Sequence, residues 1–372
     1  MSFWKTQPVN VIETKTHKQI LSEEDLLAKI GADLEASKIK LDYTVYQTCE
    51  EKVISDTLDF INNNYVGSET SKLIYSKPLL EYYLKDGLLI HFHAKGKTDK
   101  IVGSIIGKKR QLHLFNKTED VIDVNFLCLI KNLRNLHLAP YLIGVLTKET
   151  VLRLNISLAC YTIGADIKSP CFGSKAMYHR PVHLTNLIKE GFMPKDPSSN
   201  LERQFGPQKD TYPVTYINNT KNGLDIDKLN SVVVAHFLKT YDIFDYKSLV
   251  EIFSNPYFHT FIFGDRSNPS DILSFYRIDI LDPKTGGKYK NGYLYLNMVK
   301  SDEPSHIKKL FDSAAKYCST NDVLDMFTLT DIFKNMDYSK IHFVNGTGAL
   351  NYYMFNMTIP KIENHKNGLI TI

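Results

Sequence analysis

Apolar positions are densest, and alternate least, between Asp123 and Leu154, where the chain reads DVNFLCLIKNLRNLHLAPYLIGVLTKETVLRL. The run Val124 to Ile130 predicts a strand buried on both faces. A polar turn follows, Lys131 to His137, carrying Lys131, Arg134 and His137. Beyond Leu138-Ala139-Pro140, the residues Ile143, Leu146, Thr150 and Leu154 recur at helical spacing, and Pro140 suits a first helical turn, where its missing N–H costs nothing. Strand, basic turn and helix start gather backbone N–H groups and positive charge, as a phosphate or pyrophosphate site does. The glycines of a P-loop or dinucleotide fold are missing. Most strand–turn–helix units are scaffolding, so a plain packing role stands beside the ligand reading.

The same patterning organises the rest of the chain. Helical periods are expected over Asp25–Ile30 and Cys49–Asn63, the latter ended by Asn64-Tyr65-Val66-Gly67. Ile101 to Phe115 reads as a hairpin turning at Gly107, with Gly107-Lys108-Lys109-Arg110 as its solvated turn rather than a nucleic-acid site. Strands at Val121–Ile130 and Ile156–Thr162 flank the helix 140–154, and Leu184–Gly191 is a short helix stopped by its glycine. The segment 193–213, with Met193-Pro194-Lys195-Asp196-Pro197, Gly206-Pro207 and Tyr212-Pro213, is the expected boundary. Beyond it lie helices at Leu229–Thr240 and Tyr246–Phe253, then strands at Thr260–Gly264, Ile272–Ile280 and Gly292–Met298. A helix at His306–Ser319 and strands at Asp325–Leu329 and Leu350–Met357 follow. Both parts thus read as helices, a hairpin, then strand–helix–strand: mixed α/β with a largely antiparallel sheet.

Composition narrows the class without defining it. The 372 residues, 43% hydrophobic, can bury a large core and suit two domains or one large double domain. The net charge of +4 is mild. Cys49, Cys128, Cys160, Cys171 and Cys318 show no CxxC spacing, and the odd count fits free thiols in a reducing compartment. MSFWKTQPV lacks an apolar leader core, and no run reaches membrane-spanning length, so a soluble cytoplasmic protein is expected. The single Trp at position 4 suggests that the N-terminal arm packs on something. No metal site is expected: His91 and His93 alternate on a strand without a partner at ligand spacing. GxSxG, Walker and dinucleotide motifs are absent.

Several segments together resemble one family. Phe3-Trp4-Lys5-Thr6-Gln7-Pro8-Val9 resembles the FW-x-TQPV opening of N-myristoyltransferases. Asn125-Phe126-Leu127-Cys128-Leu129, Leu133-Arg134 and Leu138-Ala139-Pro140 resemble their NFLCVHKKLRSKRLAPVLI block. Tyr161-Thr162-Ile163-Gly164 with Tyr178-His179-Arg180 resembles YTAG…YWHR. Leu273-Ser274-Phe275-Tyr276, Asn351-Tyr352-Tyr353 and Gly368-Leu369 follow in order. The ordered set spans nearly the whole chain, which looks like a compact member without a basic N-terminal extension. Its second residue is Ser2, not the glycine that its own myristoylation would need.

The resemblance implies two fused acetyltransferase-like (GNAT-like) halves in a pseudo-twofold arrangement. Residues 1–200 would bind myristoyl-CoA, and 201–372 would form most of the peptide groove and carry the catalytic C-terminus. The reaction would move a tetradecanoyl group from CoA to the α-amine of an N-terminal glycine, with no metal and no nucleic acid, in a monomer that does not insert in membranes. The thioester oxyanion would meet the backbone N–H groups of Phe126 and Leu127, a bulge in a buried strand; one such donor is worth about 3–4 kcal/mol. Arg134, Asn135 and His137, with the amides of Leu138 and Ala139 ahead of Pro140, would hold the CoA phosphates. Cys128 and Leu129 would flank the cofactor, and Ser2-Phe3-Trp4 would cover it. Twelve acyl methylenes offer roughly 10 kcal/mol of hydrophobic binding before costs.

The base would be the carboxylate of the last residue, Ile372. In water a terminal carboxyl lies roughly 4 pKa units below an α-amine, about 6 kcal/mol uphill; burial of an apolar Gly-Leu-Ile-Thr-Ile tail narrows that gap. Asn125 and Thr162 would hold the glycine amine, and Tyr65, Val66, His179, Ser274, Tyr293 and Leu350 would line the peptide groove. Some positions depart from the family pattern. Leu136 and His137 replace turn cations, Gly67-Ser68-Glu69-Thr70-Ser71-Lys72 and Gly346-Thr347-Gly348 lose carboxylates, and Met177 replaces an aromatic. Preference for downstream lysine in the peptide is therefore in doubt. An acyltransferase of other chain length, and a non-catalytic binder of acyl-CoA or lipidated peptides, remain the alternatives.

Overall fold

The computed structural model describes residues 6–12, 17–48, 50–65, 71–165, 167–195, 200–206, 208–219, 224–266 and 268–370. Ser2, Phe3, Trp4, Val66, Cys49 and Ile372 lie outside them. Twelve strands run through one large sheet. The first six are β1 (Asp42–Tyr46), β2 (Gly87–Ala94), β3 (Lys97–Leu114), β4 (Lys117–Leu129), β5 (Ala159–Ile163) and β6 (Gly173–Pro181). The second six are β7 (Val214–Ile217), β8 (Phe258–Asp265), β9 (Asn268–Leu281), β10 (Lys288–Met298), β11 (Met326–Thr330) and β12 (Val344–Phe355). Their order across the sheet is β7-β8-β9-β10-β11-β6-β12-β5-β4-β3-β2-β1. Two short strands, Lys72–Ile74 on β9 and Ile243–Asp245 on β3, add to it.

This order repeats with an offset of six: each of the first six strands has its counterpart six places on. Neighbours are antiparallel except β4 with β5 and β10 with β11. Each parallel pair is bridged by a crossover helix, α1 (Ala139–Leu154) and α2 (Pro304–Asn321), as parallel strands require. The halves also trade their last strand. β6 pairs with β11, β12 pairs with β5, and β6 and β12 pair with each other at the centre. The mixed, mostly antiparallel class read from the patterning is the one observed.

Helices cover both faces, so β4 is apolar on both. Leu142, Val145 and Leu146 of α1 pack on Leu88, Ile90 and Ile105 on one face. On the other, Phe126 and Cys128 join a core built from the helices Glu51–Asn64, Lys77–Leu84 and Ile226–Thr240. In the second half Leu310, Phe311 and Ala314 of α2 pack on Phe275 and Phe327.

Two expectations around Gly107 fail. Ile101 to Phe115 is not a hairpin: β3 runs unbroken through Gly107. A Cβ there would lie 2.7 Å from Ile122 Cγ2 and 3.2 Å from Leu146. The glycine admits the crossover helix onto the sheet and makes no turn. Nor are the basic residues beside it solvated. Lys108 and Arg110 are both buried, and Lys108 Nζ donates to the carbonyls of Tyr82 (2.7 Å) and Lys85 (2.9 Å). Burial pushes that lysine down to about 8.

Candidate active site

β4 and β5 share only the pairs Ile122–Ala159 and Asp123–Cys160. Beyond Asp123 they part, and α1 roofs the gap. The result is a cavity of about 400 Å³, walled by apolar side chains including Val124, Leu127, Ile143, Leu146, Ile163 and Phe355. Asn125, Thr162 and Tyr65 reach the same cavity, as does Gln7, which is buried. Strand Val9–Ile12 pairs in parallel with Met357–Pro360, which brings the N-terminal arm to this wall.

The pairing of β3 with β4 slips between Ser104 and Ile106: Ser104 faces Cys128, Ile106 faces Asn125, and β4 carries one residue too many. The bulge falls on Phe126 and Leu127. Phe126 takes φ +52°, a left-handed conformation that a bulky residue adopts only when its surroundings impose it. They do. The ring is clasped edge-on by Tyr75 and Tyr83, both with centroids at 5.1 Å, and by Tyr65 at 6.3 Å. The bulge turns successive amides away from the ladder, which is the local geometry an oxyanion site needs. The Phe126 N–H donates to the Oδ1 of Asn125 at 2.8 Å.

Asn125 is itself tethered. Its Nδ2 donates to the Tyr83 hydroxyl (3.1 Å), and that hydroxyl donates to Asp123 Oδ2 (2.7 Å). Asp123 is fully buried against Arg110 (2.7 Å), which also pairs with Asp245, itself bonded to Lys247 at 2.7 Å. A buried ionic group of this kind is strongly position-fixing, because removing one partner leaves the others unpaired in low dielectric. The relay runs Asp245–Arg110–Asp123–Tyr83–Asn125 and ends at the Phe126 amide. Burial holds the Tyr83 phenol far above its ordinary range, so it stays un-ionised.

Downstream of the bulge, burial pushes the Cys128 thiol up to about 11. It is a protonated packing residue, not a nucleophile. Leu129 is buried beside it. Lys131–Leu136 forms a short 3₁₀ turn, and His137 closes it at φ +54°. Asn135 and His137 are exposed. Arg134 lies against the strand end: its Nε donates to Leu129 O at 3.1 Å and an Nη to Asn64 O. The guanidinium thereby ties β4 to the end of the helix that carries Tyr65. α1 starts at Ala139 with Pro140 in its first turn and no side-chain cap, leaving first-turn amides available to a ligand. On the far side of Leu138 and Pro140 a second cavity, about 510 Å³, is bounded by His137, Tyr141 and the 36–39 loop with Lys38. The helix start thus lies between two cavities, the second carrying His137, Lys38 and Asp33 among mostly apolar side chains.

The remaining predicted residues divide. His179 on β6 binds Thr328 Oγ1 through Nδ1 at 2.8 Å, and burial lowers its pKa. A Cβ on Gly346 would lie 2.5 Å from its Nε2, so only glycine fits there. Tyr293 stacks on Tyr276 with centroids 5.1 Å apart, and Leu350 is half-buried on β12, opposite Lys175. Ser274 is fully buried, its hydroxyl shared with Thr260 at 2.7 Å; it does not reach the cavity. The tail is drawn inward. Gly368 N–H donates to Ile243 O, buried Lys175 donates to Asn367 O, Leu369 is buried, and Ile370 packs on the core that contains Phe126.

The structure therefore gathers Tyr65, Asn125, Phe126, Leu127, Thr162 and Ala139 at one cavity, while His179, Ser274, Tyr293 and Leu350 are not on its wall. The linear reading missed Gln7, Ile143, Thr147 and Tyr161 on the wall, and Tyr83, Asp123 and Arg110 behind it. One signal was available: Asp123 interrupts an otherwise apolar strand, and an acid there needs a buried partner.

A bulged strand amide at the mouth of an apolar slot, beside an uncapped helix start, has the chemistry to receive a long-chain acyl thioester, as an acyltransferase requires. Comparison with known proteins agrees. Residues 24–172 match the N-terminal domain of myristoyl-CoA:protein N-myristoyltransferase, and 224–369 match its C-terminal domain. The chain belongs to the N-myristoyltransferase family. Relatives include the glycylpeptide N-tetradecanoyltransferase of Plasmodium falciparum, 26% identical over all of this chain and 93% of its own length. That of Dictyostelium discoideum is 24% identical over 100% of this chain and 92% of its own length. In fold the chain is similar to Saccharomyces cerevisiae N-myristoyltransferase with bound myristoyl-CoA, at TM-score 0.78 and 19% identity, covering 100% of this chain and 99% of that one.

Proposed function

We propose that this chain transfers a tetradecanoyl group from myristoyl-CoA to the α-amine of an N-terminal glycine. The observation that carries the reading is the apolar cavity between β4 and β5, ending at the Phe126 bulge on one side and at the start of α1 on the other. In this reading the acyl chain lies along Ile143, Leu146 and Phe355. The diphosphate rests on the first amides of α1 with Arg134, Asn135 and His137 nearby, and the nucleotide end enters the second cavity, beside Lys38 and His137. Ser2, Phe3 and Trp4 cover the bound acyl-CoA. The first half takes the acyl donor and the second most of the peptide.

When the amine attacks, the thioester carbon becomes tetrahedral and its oxygen anionic. The amides of Phe126 and Leu127 receive that charge. For Phe126 this requires the Asn125 Oδ1 to swing off its N–H. Asn125 then has its amide oxygen directed to the incoming ammonium beside Thr162, so one side-chain rotation both opens the oxyanion donor and engages the nucleophile. The Ile372 carboxylate takes the proton from the ammonium; the inward course of the tail through Leu369 and Ile370 supports its desolvation. Collapse of the intermediate expels CoA thiolate, which takes the extra proton of the attacking nitrogen and leaves as CoA thiol. His179, Tyr65, Val66, Tyr293 and Leu350 line the peptide path, with Ser274 supporting it from within the sheet. The enzyme acts as a cytoplasmic monomer without nucleic acid; no helix among the described residues is long and apolar enough to cross a membrane.

Incubation with myristoyl-CoA and a peptide that begins with glycine, followed by mass spectrometry, tests this. Acylation of that peptide, and not of a counterpart that begins with alanine, is expected. Preference for acetyl-CoA, or tight acyl-CoA binding without transfer, would overturn it.

A further inference from the structure

Outside the acyl site, three residues far apart in sequence converge where the halves interlock. His183 follows β6, the strand the first half lends to the second. Asp322 caps the C-terminus of α2 at φ +52°, and Asp325 directly precedes β11. The Nδ1 of His183 lies 3.5 Å from Asp322 Oδ1 and 3.4 Å from Asp325 Oδ1. Asp325 is completely buried, and its Oδ1 has no hydrogen-bond partner among the described residues; the same is true of His183 Nδ1. Two buried lone-pair atoms therefore face each other, with a third oxygen alongside.

The rest of the cluster fixes these atoms. Asp325 Oδ2 accepts the Lys290 amide at 2.7 Å, Asp325 O accepts the amides of Val182 and His183, and Asp325 N–H donates to Lys290 O. That backbone clamp aims Oδ1 at the imidazole, as outer-shell hydrogen bonds aim metal ligands. Around tetrahedral zinc, with bonds of about 2.1 Å, ligand atoms stand about 3.4 Å apart, which matches both measured edges. One group competes: Lys290 Nζ donates to Asp322 Oδ1 at 2.6 Å and to Asp322 O at 2.7 Å. It can keep the carbonyl while releasing the carboxylate.

We propose that His183, Asp322 and Asp325 bind one divalent cation of the zinc type, which staples the lent strand β6 to the loop entering β11. The donor set of one imidazole and two carboxylates, without thiolate, suits zinc and its first-row neighbours.

The test uses the full chain, stripped with chelator and titrated with Zn²⁺ by calorimetry. Wild type takes up one equivalent more than His183→Ala or Asp322→Asn. Asp322→Asn keeps a residue that tolerates the left-handed cap and so guards against misfolding. Lys290→Met, lacking the competing ammonium, binds zinc at least several-fold tighter. The Co²⁺-loaded protein shows tetrahedral d–d bands without a thiolate charge-transfer band. Zinc raises the thermal midpoint of wild type and not of Asp322→Asn. Equal uptake by wild type and both variants overturns the site. Unchanged affinity in Lys290→Met overturns the placement of the cation at Asp322 Oδ1.

Discussion

Replacing Tyr83 by Phe removes one oxygen and nothing else, yet that oxygen joins the ionic cluster to Asn125 beside the Phe126 bulge. The lost hydroxyl accepts from Asn125 Nδ2 at 3.1 Å and donates to Asp123 Oδ2 at 2.7 Å. The second bond is to a charged acceptor and contributes about 1.5–3 kcal/mol, the first about 1 kcal/mol. Asp123 keeps Arg110, so the expected destabilisation is about 2 kcal/mol rather than the sum. The Phe126 ring keeps its edge-on neighbour, and the bulge survives. The Asn125 amide, however, loses the bond that fixes its Nδ2 end. Losing one neutral hydrogen bond at the attacking amine and the oxyanion donor predicts a drop in kcat of about fivefold to tenfold. KM for myristoyl-CoA stays unchanged, because no wall of the acyl cavity is touched. Steady-state kinetics with varied acyl-CoA, beside urea unfolding, reads both quantities. A lowered midpoint with wild-type kcat would show that Tyr83 only braces the core and that the relay does not reach the chemistry.

Four further outcomes follow from other parts of the molecule. Gly107→Ala forces a methyl to within 2.7 Å of Ile122 and is expected to cost about 1–3 kcal/mol by chemical denaturation; a neutral result would refute the close helix–sheet approach. Ile143→Trp, filling the cavity wall, raises KM for tetradecanoyl-CoA more than for decanoyl-CoA, and equal effects on both would place the acyl chain elsewhere. Residues appended after Ile372 leave myristoyl-CoA binding intact while transfer collapses; full activity would remove the terminal carboxylate from the reaction. Acid unfolds the protein through its buried imidazoles. Burial lowers His91 to about 4 and also lowers His179. The unfolded chain therefore binds protons that the folded one refuses, and stability is full above about pH 6.5 and falls toward pH 4. His91 alone accounts for about 3 kcal/mol over that window. A flat urea midpoint between about pH 7 and pH 4.5 would contradict this.

Much of this architecture is legible in the chain because it follows from local rules. The unalternating run Val124–Ile130 marks a strand covered on both sides, and Pro140 marks a helix start. The matching grammar of the two parts marks a duplicated scaffold. Gly107 misled for a physical reason: a glycine that admits a helix and one that makes a turn look alike until the packing partner, Leu146, is known. The bulge at Phe126 could be expected only through family resemblance, since no local propensity asks a phenylalanine for positive φ; the tyrosines that impose it lie at positions 65, 75 and 83. Arg110 and Lys108 looked like a solvated pair because their partners, Asp123, Asp245 and the carbonyls of Tyr82 and Lys85, are distant in sequence or belong to the backbone. His183, Asp322 and Asp325 escaped notice for the same reason, each being unremarkable in its own stretch.

The exchange of final strands has a consequence for how the polypeptide can be divided. Cut within 193–213, the first fragment would carry β6 with no β11 to receive it, and its β5 would lose the neighbour that β12 supplies. The second fragment would be left with the mirror deficit. Each piece would present raw backbone edges at the point where the other half closes it, so isolated fragments should aggregate, while co-expressed ones should recombine into a single body. The architectural repeat thus forms a pair in which neither half can close its sheet alone. Drift in one half is then constrained by the other.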